Sequence, residues 1–220
     1  MDVFDAITGR ASTRAFLDQP VSDEQIRTIL DAARWAPSGV NIQPWQVMVV
    51  RGTTKQRLAD ALITARAGGK PNPDYTYYPE QWFDPFKERR KQCGLALYQA
   101  LEIRREDTER QVEAWNNNYR FFGAPVGLLL FLDRRLGQGA WIDMGMFMQN
   151  IMLAARGLGL ATCPQASLAD YPDVVRTELG VEPELALLGG IALGYADADA
   201  AVNGYRTERE PVAGFTRWFD

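Results

Sequence analysis

Two short segments carry the residue types that could do chemistry. The first, Arg10-Ala11-Ser12-Thr13-Arg14, sets two guanidiniums four residues apart with hydroxyls between them. Forked N–H donors and O–H groups aimed at one point suit a tetrahedral anion such as a phosphate monoester, although on these residues alone an arginine-rich turn is more often a solvated or ion-paired feature. The second, Ala36-Pro37-Ser38-Gly39-Val40-Asn41-Ile42-Gln43-Pro44-Trp45, is dense in small and amide residues. Its Pro and Gly permit close backbone approach, and Ser38, Asn41 and Gln43 offer neutral donors and acceptors for the edge of a heterocycle. The same residue types also build plain turns.

What the chain lacks narrows the chemistry further. Its 220 residues include no histidine, so a Ser-His-Asp triad, an imidazole base and a histidine-ligated metal are all set aside, and no metal site is expected. Cys93 and Cys163 are far apart without CxxC spacing. They read as two buried small hydrophobes in a reducing cytoplasm rather than a redox pair or zinc ligands. With 24 Lys+Arg against 28 Asp+Glu the net charge is −4, which provides no basic footprint for nucleic acid. The opening Met1-Asp2-Val3-Phe4-Asp5 carries acid where a secretory signal carries base, so a cytoplasmic protein is expected. The uncharged stretches 144–155 and 185–196 fall short of the ~20 residues a membrane-spanning helix requires, so no membrane role is expected.

The elements that must position these segments are legible from periodicity. A short apolar helix covers 3–7. Ser22-Asp23-Glu24-Gln25 is a capping-box pattern, and Ile26, Ile29, Leu30 and Ala33 recur at helical spacing until Pro37. Residues 46–50 read as a buried strand, and a helix from about residue 53, with Leu58, Ala59, Leu62 and Ala65 on one face, runs to Gly68-Gly69. Between 70 and 118 the composition shifts to Pro71, Pro73, Pro79 and Pro85 among aromatics, followed by one charged helix over about 86–115. This stretch reads as an insertion in a single domain spanning 1–220. Its aromatics form either a lid or wall for a planar ligand or simply the packing of the insertion onto the body.

Residues 126–132 are continuously apolar, as a central strand is. The helix over 141–155, with Met144, Met146, Met148 and Met152, is apolar nearly all round, which fits a subunit interface. Gly157 and Gly159 terminate it, a short strand covers 160–163, a helix covers 172–179 and a last strand 185–193. The G-x-G at 157–159 follows a helix and lacks a third glycine, so a dinucleotide-binding fingerprint is not read there. With too many helices for a sandwich and too few strands for a barrel, the class is α+β.

Taken together and in order, these segments resemble the FMN-dependent nitroreductase family, and within it the branch acting on nitrobenzoates and other nitroaromatics. Besides 10–14 and 36–45, the resemblance rests on Gly123-Ala124-Pro125-Val126, on Gly157-Leu158-Gly159-Leu160-Ala161-Thr162-Cys163-Pro164, and on Leu193-Gly194-Tyr195 followed by Arg206-Thr207-Glu208-Arg209-Glu210-Pro211. It implies a central, mainly antiparallel sheet flanked by helices, and a homodimer that exchanges C-terminal tails and builds two FMN sites from both subunits. Residue by residue, it implies that Arg10, Ala11, Ser12 and Arg14 hold the FMN phosphate and ribityl chain and that Arg209 closes on the phosphate. Pro37, Ser38, Gly39 and Asn41 come from the partner subunit. Pro164, Gln165 and Ala166 line the isoalloxazine; many members carry an acidic residue where Ala166 stands. The implied activity is ping-pong reduction of a planar nitroaromatic or quinone acceptor by NADH or NADPH, with no catalytic side chain because the cofactor carries the hydride. Flavin-dependent reductive dehalogenation and flavin binding without turnover are the alternatives.

Overall fold

A computed structural model describes residues 1–219. Helix α1 (Val3–Gly9) is capped by Asp2, whose carboxylate accepts the Asp5 N–H at 2.8 Å, and none of its residues is buried. Helix α2 (Asp23–Ala33) begins at the expected capping box, with both reciprocal Ser22 and Gln25 bonds formed, and turns Ile26, Ile29 and Ala33 inward. The remaining elements in chain order are β1 (Gln46–Arg51), α3 (Gly52–Gly68), α4 (Phe86–Ala100), α5 (Thr108–Tyr119), β2 (Val126–Asp133), α6 (Gln138–Gly157), β3 (Ala161–Gln165), α7 (Pro172–Leu179) and β4 (Leu185–Gly194). None of these helices is long and apolar enough to cross a membrane.

The strands form one sheet in the order β1-β2-β4-β3, antiparallel throughout, as the α+β reading expects. Successive side chains on a strand point to opposite faces, and here both faces are covered. Leu128, Leu130, Leu132, Ile191 and Leu193 pack with α2 and α6 on one side; Leu129, Phe131, Leu187 and Ala192 pack with α3, α5 and α7 on the other. That double cover is why residues 126–132 are apolar at every position and entirely buried.

Three expectations are corrected. The strand read as buried at 46–50 is an outer strand with Gln46, Val49 and Arg51 exposed; periodicity reports the local pattern and not a strand's place in the sheet. The single charged helix of 86–115 is two helices. The chain leaves helical geometry after Ala100, Glu102 adopts φ 51°, and Arg110 donates to the Leu101 and Glu102 carbonyls at 3.0 and 2.7 Å, satisfying acceptors left free at the end of α4. Cys93, read as buried, is exposed, because α4 buries none of its residues.

The stretch after α3 is fastened to the body at one point. Leu130 pairs with Gly189 and Phe131 with Leu187, so Leu188 is an extra residue in β4, and its carbonyl accepts the Tyr75 hydroxyl at 2.6 Å. Beside it the buried Asp74 carboxylate accepts from Arg176 at 2.7 and 3.1 Å, from Arg134 at 2.7 Å and from the Leu187 N–H at 2.9 Å. Burial pushes the Asp74 carboxyl up, but these donors prevail and hold it below the usual carboxylate range.

Candidate active site

The chain after α1 is threaded between the end of β3 and the C-terminal tail. Thr13 N–H donates to the Thr162 carbonyl at 3.0 Å, and Ser12 forms a parallel bridge with Thr162. On the other side, Arg14 N–H donates to Asn203 Oδ1 at 2.8 Å, and Asn203 Nδ2 donates to the Ala15 and Asp197 carbonyls, both at 2.8 Å. The Arg10–Arg14 motif is thus fixed by backbone from both flanks, with its side chains left to other uses.

Those side chains gather positive charge without neutralising it. Arg206 reaches from the tail to the end of α1, donating to the Arg10 and Thr8 carbonyls at 2.8 and 2.9 Å; these are acceptors that a helix C-terminus leaves free. Arg14 donates to the Tyr205 hydroxyl at 3.2 Å, and Arg209 to Thr207 Oγ1 and the Glu208 carbonyl at 2.8 and 2.9 Å. Arg156 runs beneath Gly9 so closely that a Cβ there would lie 2.0 Å from its Nη2. Among the described residues none of these five arginines pairs with a carboxylate. The Nε atoms of Arg10 and Arg156 are buried with no hydrogen-bond partner. Burial, then repulsion from Arg209 and Arg206, lowers the Arg10 pKa. Buried unbonded donors in a repelling cationic cluster are unfavourable until an anion completes the set, so this arrangement is suited to a multiply charged oxyanion.

Cys163 lies behind the cluster, close to Ser12, Arg14 and Arg10. Burial pushes its thiol up to about 11 against the opposing pull of those groups, so it is a neutral packing residue at physiological pH. Pro164 and Gln165 complete β3, and Ala166 opens the 3-10 turn Ala166–Asp170. This segment lies on β4 because residue 189 is glycine: its φ is 141°, and a Cβ would stand 2.6 Å from the Gln165 carbonyl oxygen and 3.4 Å from the Ala166 Cα. Gln165 Nε2 donates to the Asn118 carbonyl at 2.5 Å, while Gln165 Oε1 and Ser167 Oγ are buried without partners.

Arg10, Ser12, Arg14 and Arg209 are therefore brought together beside Thr162 and Cys163, from which β3 continues to Pro164 and Gln165 and the chain to Ala166, and Ala11 lies within the threaded backbone. Pro37, Ser38, Gly39 and Asn41 do not join them. Their loop is held against α6, where Gly39 N–H donates to Asp143 Oδ2 at 3.1 Å, and the adjoining Trp45 stacks on Phe147 with centroids 4.7 Å apart. Val40, Asn41 and Gln43 all adopt left-handed backbone, at φ 44°, 59° and 50°, and Val40 is 97% exposed. Such conformations cost about 1–3 kcal/mol each and persist only where surrounding structure enforces them.

Residue types alone missed four contributors. Arg206 lay inside a motif already singled out, yet its role as a cap on α1 depends on a contact across 196 positions. Tyr205 and Asn203 carry no pattern. Arg156 could have been found only by asking why position 9 is glycine.

Residues 7–195 match the sequence description of the Nitroreductase family. The chain belongs to that family. This nitroreductase-family chain is 38% identical to the 4-nitrobenzoate reductase of Pseudomonas putida over 218 residues, 99% of this chain and 96% of that protein. It is 42% identical to nitroreductase NfnB of Mycolicibacterium smegmatis over 212 residues, covering 96% and 90% of the two chains. Among solved structures, the crystal structure of the FMN- and NADPH-dependent nitroreductase NfnB from Sphigopyxis sp. strain HMH superimposes with a TM-score of 0.97 at 39% identity, over 100% of both chains.

Proposed function

We propose that this nitroreductase-family chain is an FMN-dependent NAD(P)H oxidoreductase that reduces nitroaromatic or quinone-type acceptors by ping-pong hydride transfer, and that it works as a cytoplasmic homodimer. One observation carries the reading: the arginine cluster around Arg10, with a buried guanidinium Nε that has no partner and with repulsion from Arg209 and Arg206, is incomplete without an oxyanion. Relatives named for reduction of nitrobenzoate and for FMN and NADPH dependence support it.

The residues present fit FMN. Arg10, Arg14 and Arg209, with the Ser12 hydroxyl and the backbone at Ala11, would hold its phosphate and ribityl chain, and the buried unpaired Arg10 Nε marks where charge is needed. Pro164, Gln165 and Ala166 would line the ring, with the Ala166 backbone N–H as donor, so the missing acidic side chain at that position matters little. When bound, FMN supplies a ring that takes hydride from NADH or NADPH and delivers it to the acceptor.

The protein's own work is binding, orientation and electrostatics. Arg206 holds the Arg10 backbone in place, and the cationic cluster stabilises negative charge gathered nearby. No imidazole is required, which fits the absence of histidine.

The dimer completes the site in this reading. Pro37, Ser38, Gly39 and Asn41 of the partner subunit would approach the ring, which accounts for their separation from Arg10 within one chain. Support comes from apolar surface with nothing against it: Val40, Ile142, and the tail residues Trp218 and Phe219 at 84% and 90% exposure. The free thiols of Cys93 and Cys163 suit the cytoplasm.

The test is an absorption spectrum of the purified protein taken anaerobically, before and after NADPH and then with a nitroaromatic acceptor. Visible flavin absorption that bleaches with the nucleotide and returns with the acceptor is the expected result. A protein that binds flavin but never bleaches is a binding module, and one that cannot be loaded with FMN ends the reading.

A further inference from the structure

We propose that Arg90, held over the Trp82 ring at the outer end of an aromatic wall, anchors a phosphate of the nicotinamide dinucleotide reductant and thereby makes the protein prefer NADPH to NADH. This rests on the functional reading above and deepens it by naming the group that tells the two reductants apart.

The wall begins at the site. Gly189 lies against Gln165 and Ala166, and the neighbouring Leu188 carbonyl accepts the Tyr75 hydroxyl at 2.6 Å. From Tyr75 the rings continue outward: Tyr77 at 6.2 Å, Tyr78 a further 4.7 Å from Tyr77, and Trp82 at 5.5 Å from Tyr78, measured between centroids. Tyr77 and Tyr78 are 60% and 57% exposed, so their faces are open to a planar ligand rather than consumed by core packing. At the end of the series the Arg90 guanidinium carbon stands 5.1 Å from the Trp82 centroid.

Arg90 differs from its neighbours on α4 in having nothing to neutralise it. Arg89 pairs with Glu210 at 2.6 Å and Lys91 with Glu88 at 3.7 Å. Among the described residues Arg90 has no ion pair, and its one orienting contact is with Trp82. The helix lies along the C-terminal tail, where Arg89 pairs with Glu210, the residue next to Arg209 of the arginine cluster.

The length of the wall selects the ligand. Three ring contacts separate Arg90 from Tyr75, the ring fastened to β4 beside Gly189, and a ligand that reaches from that end to Arg90 must be extended. A dinucleotide carries two planar heterocycles joined by pyrophosphate, and NADPH adds a phosphate at the adenosine end. A stacked guanidinium with free forked donors is suited to that group.

The test uses the flavoprotein as purified. NADP⁺ and NAD⁺, which cannot reduce the flavin, are titrated calorimetrically onto the wild type, Arg90→Gln and Arg90→Lys. For an exposed charge-assisted contact, Arg90→Gln is expected to weaken NADP⁺ about tenfold with NAD⁺ within about twofold, and Arg90→Lys to fall between. In turnover the KM for NADPH rises correspondingly while kcat and the KM for 4-nitrobenzoate hold. The proposal is overturned if NADP⁺ and NAD⁺ weaken together or neither weakens. It is equally overturned if the loss is confined to 4-nitrobenzoate relative to nitrobenzene, which would put an acceptor carboxylate on Arg90. A wild type whose flavin is bleached by neither reductant sinks the oxidoreductase reading instead, and the titration still reports on Arg90 independently.

Discussion

Replacing Arg10 and Arg209 with alanine has opposite consequences for the loaded and unloaded protein, and that opposition is the sharpest test of the cluster. The Arg10 Nε is buried without a partner, and Arg209 and Arg206 repel the guanidinium. Without FMN, Arg10→Ala therefore removes a repulsion along with a side chain. The melting temperature of the apoprotein is expected to hold or rise, and any loss should stay within about 1 kcal/mol, the scale of a partly solvated charge. With FMN, each arginine removed takes away a charge-assisted contact of about 1.5–3 kcal/mol, so the double variant is expected to bind FMN about two to four decades more weakly. The two charges share one anion and repel each other in its absence. The relief of that repulsion is counted once in the double variant and twice in the singles, so the combined loss should fall short of their sum. FMN titration of the four apoproteins, with calorimetric melting of each, measures both sides. Unchanged FMN affinity in the double variant, or an apoprotein that melts far lower, would refute the reasoning and make Arg10 a structural residue.

Three further outcomes follow from named contacts. Asp74→Asn leaves Arg176 and Arg134 facing a weakened acceptor and should cost about 3 kcal/mol in urea unfolding; because the native Asp74 pKa is depressed, that stability exists above the unfolded-state value near about 4 and disappears as pH falls through the native one, a pH dependence the variant should lack. Alkylation of the native protein at pH 8 should mark exposed Cys93 and spare Cys163, whose thiol is held at about 11, as intact-mass measurement would show. Gly189→Ala forces a side chain into left-handed backbone 2.6 Å from the Gln165 oxygen and should cost about 1–3 kcal/mol together with flavin retention, whereas Gly68→Ala, in the last turn of α3 with nothing within 4 Å of its added Cβ, should be neutral or stabilising and keep its flavin.

The features legible in the sequence are those whose cause is local. The Ser22–Gln25 capping box starts α2 where the pattern places it, and α7 covers the expected 172–179, with Pro172 at its start and the left-handed Gly180 at its end. The apolar run of β2 announces a strand covered on both faces. Other features answer to partners far along the chain. The break between α4 and α5 is closed by Arg110 reaching back to Leu101 and Glu102, and the outer position of β1 depends on which strand pairs with β2. Within the candidate site, the Arg10–Arg14 segment stands out by residue type and spacing, because chemistry constrains which residues suit an oxyanion, whereas Arg209 comes only from the family resemblance. Arg206 and Arg156 were not, because each acts on backbone or empty space that only the folded chain creates.

The bond from Arg206 to the Arg10 carbonyl also orders events in time. The chain emerges from the ribosome N-terminus first, so the motif at 10–14 is made early, yet the guanidinium that caps it arrives 196 positions later. Every strand of the sheet ends by residue 194, so a chain truncated before Arg206 would keep all four strands and lose only the cap on the Arg10 carbonyl, which separates the order of the sheet from the order of the 10–14 motif.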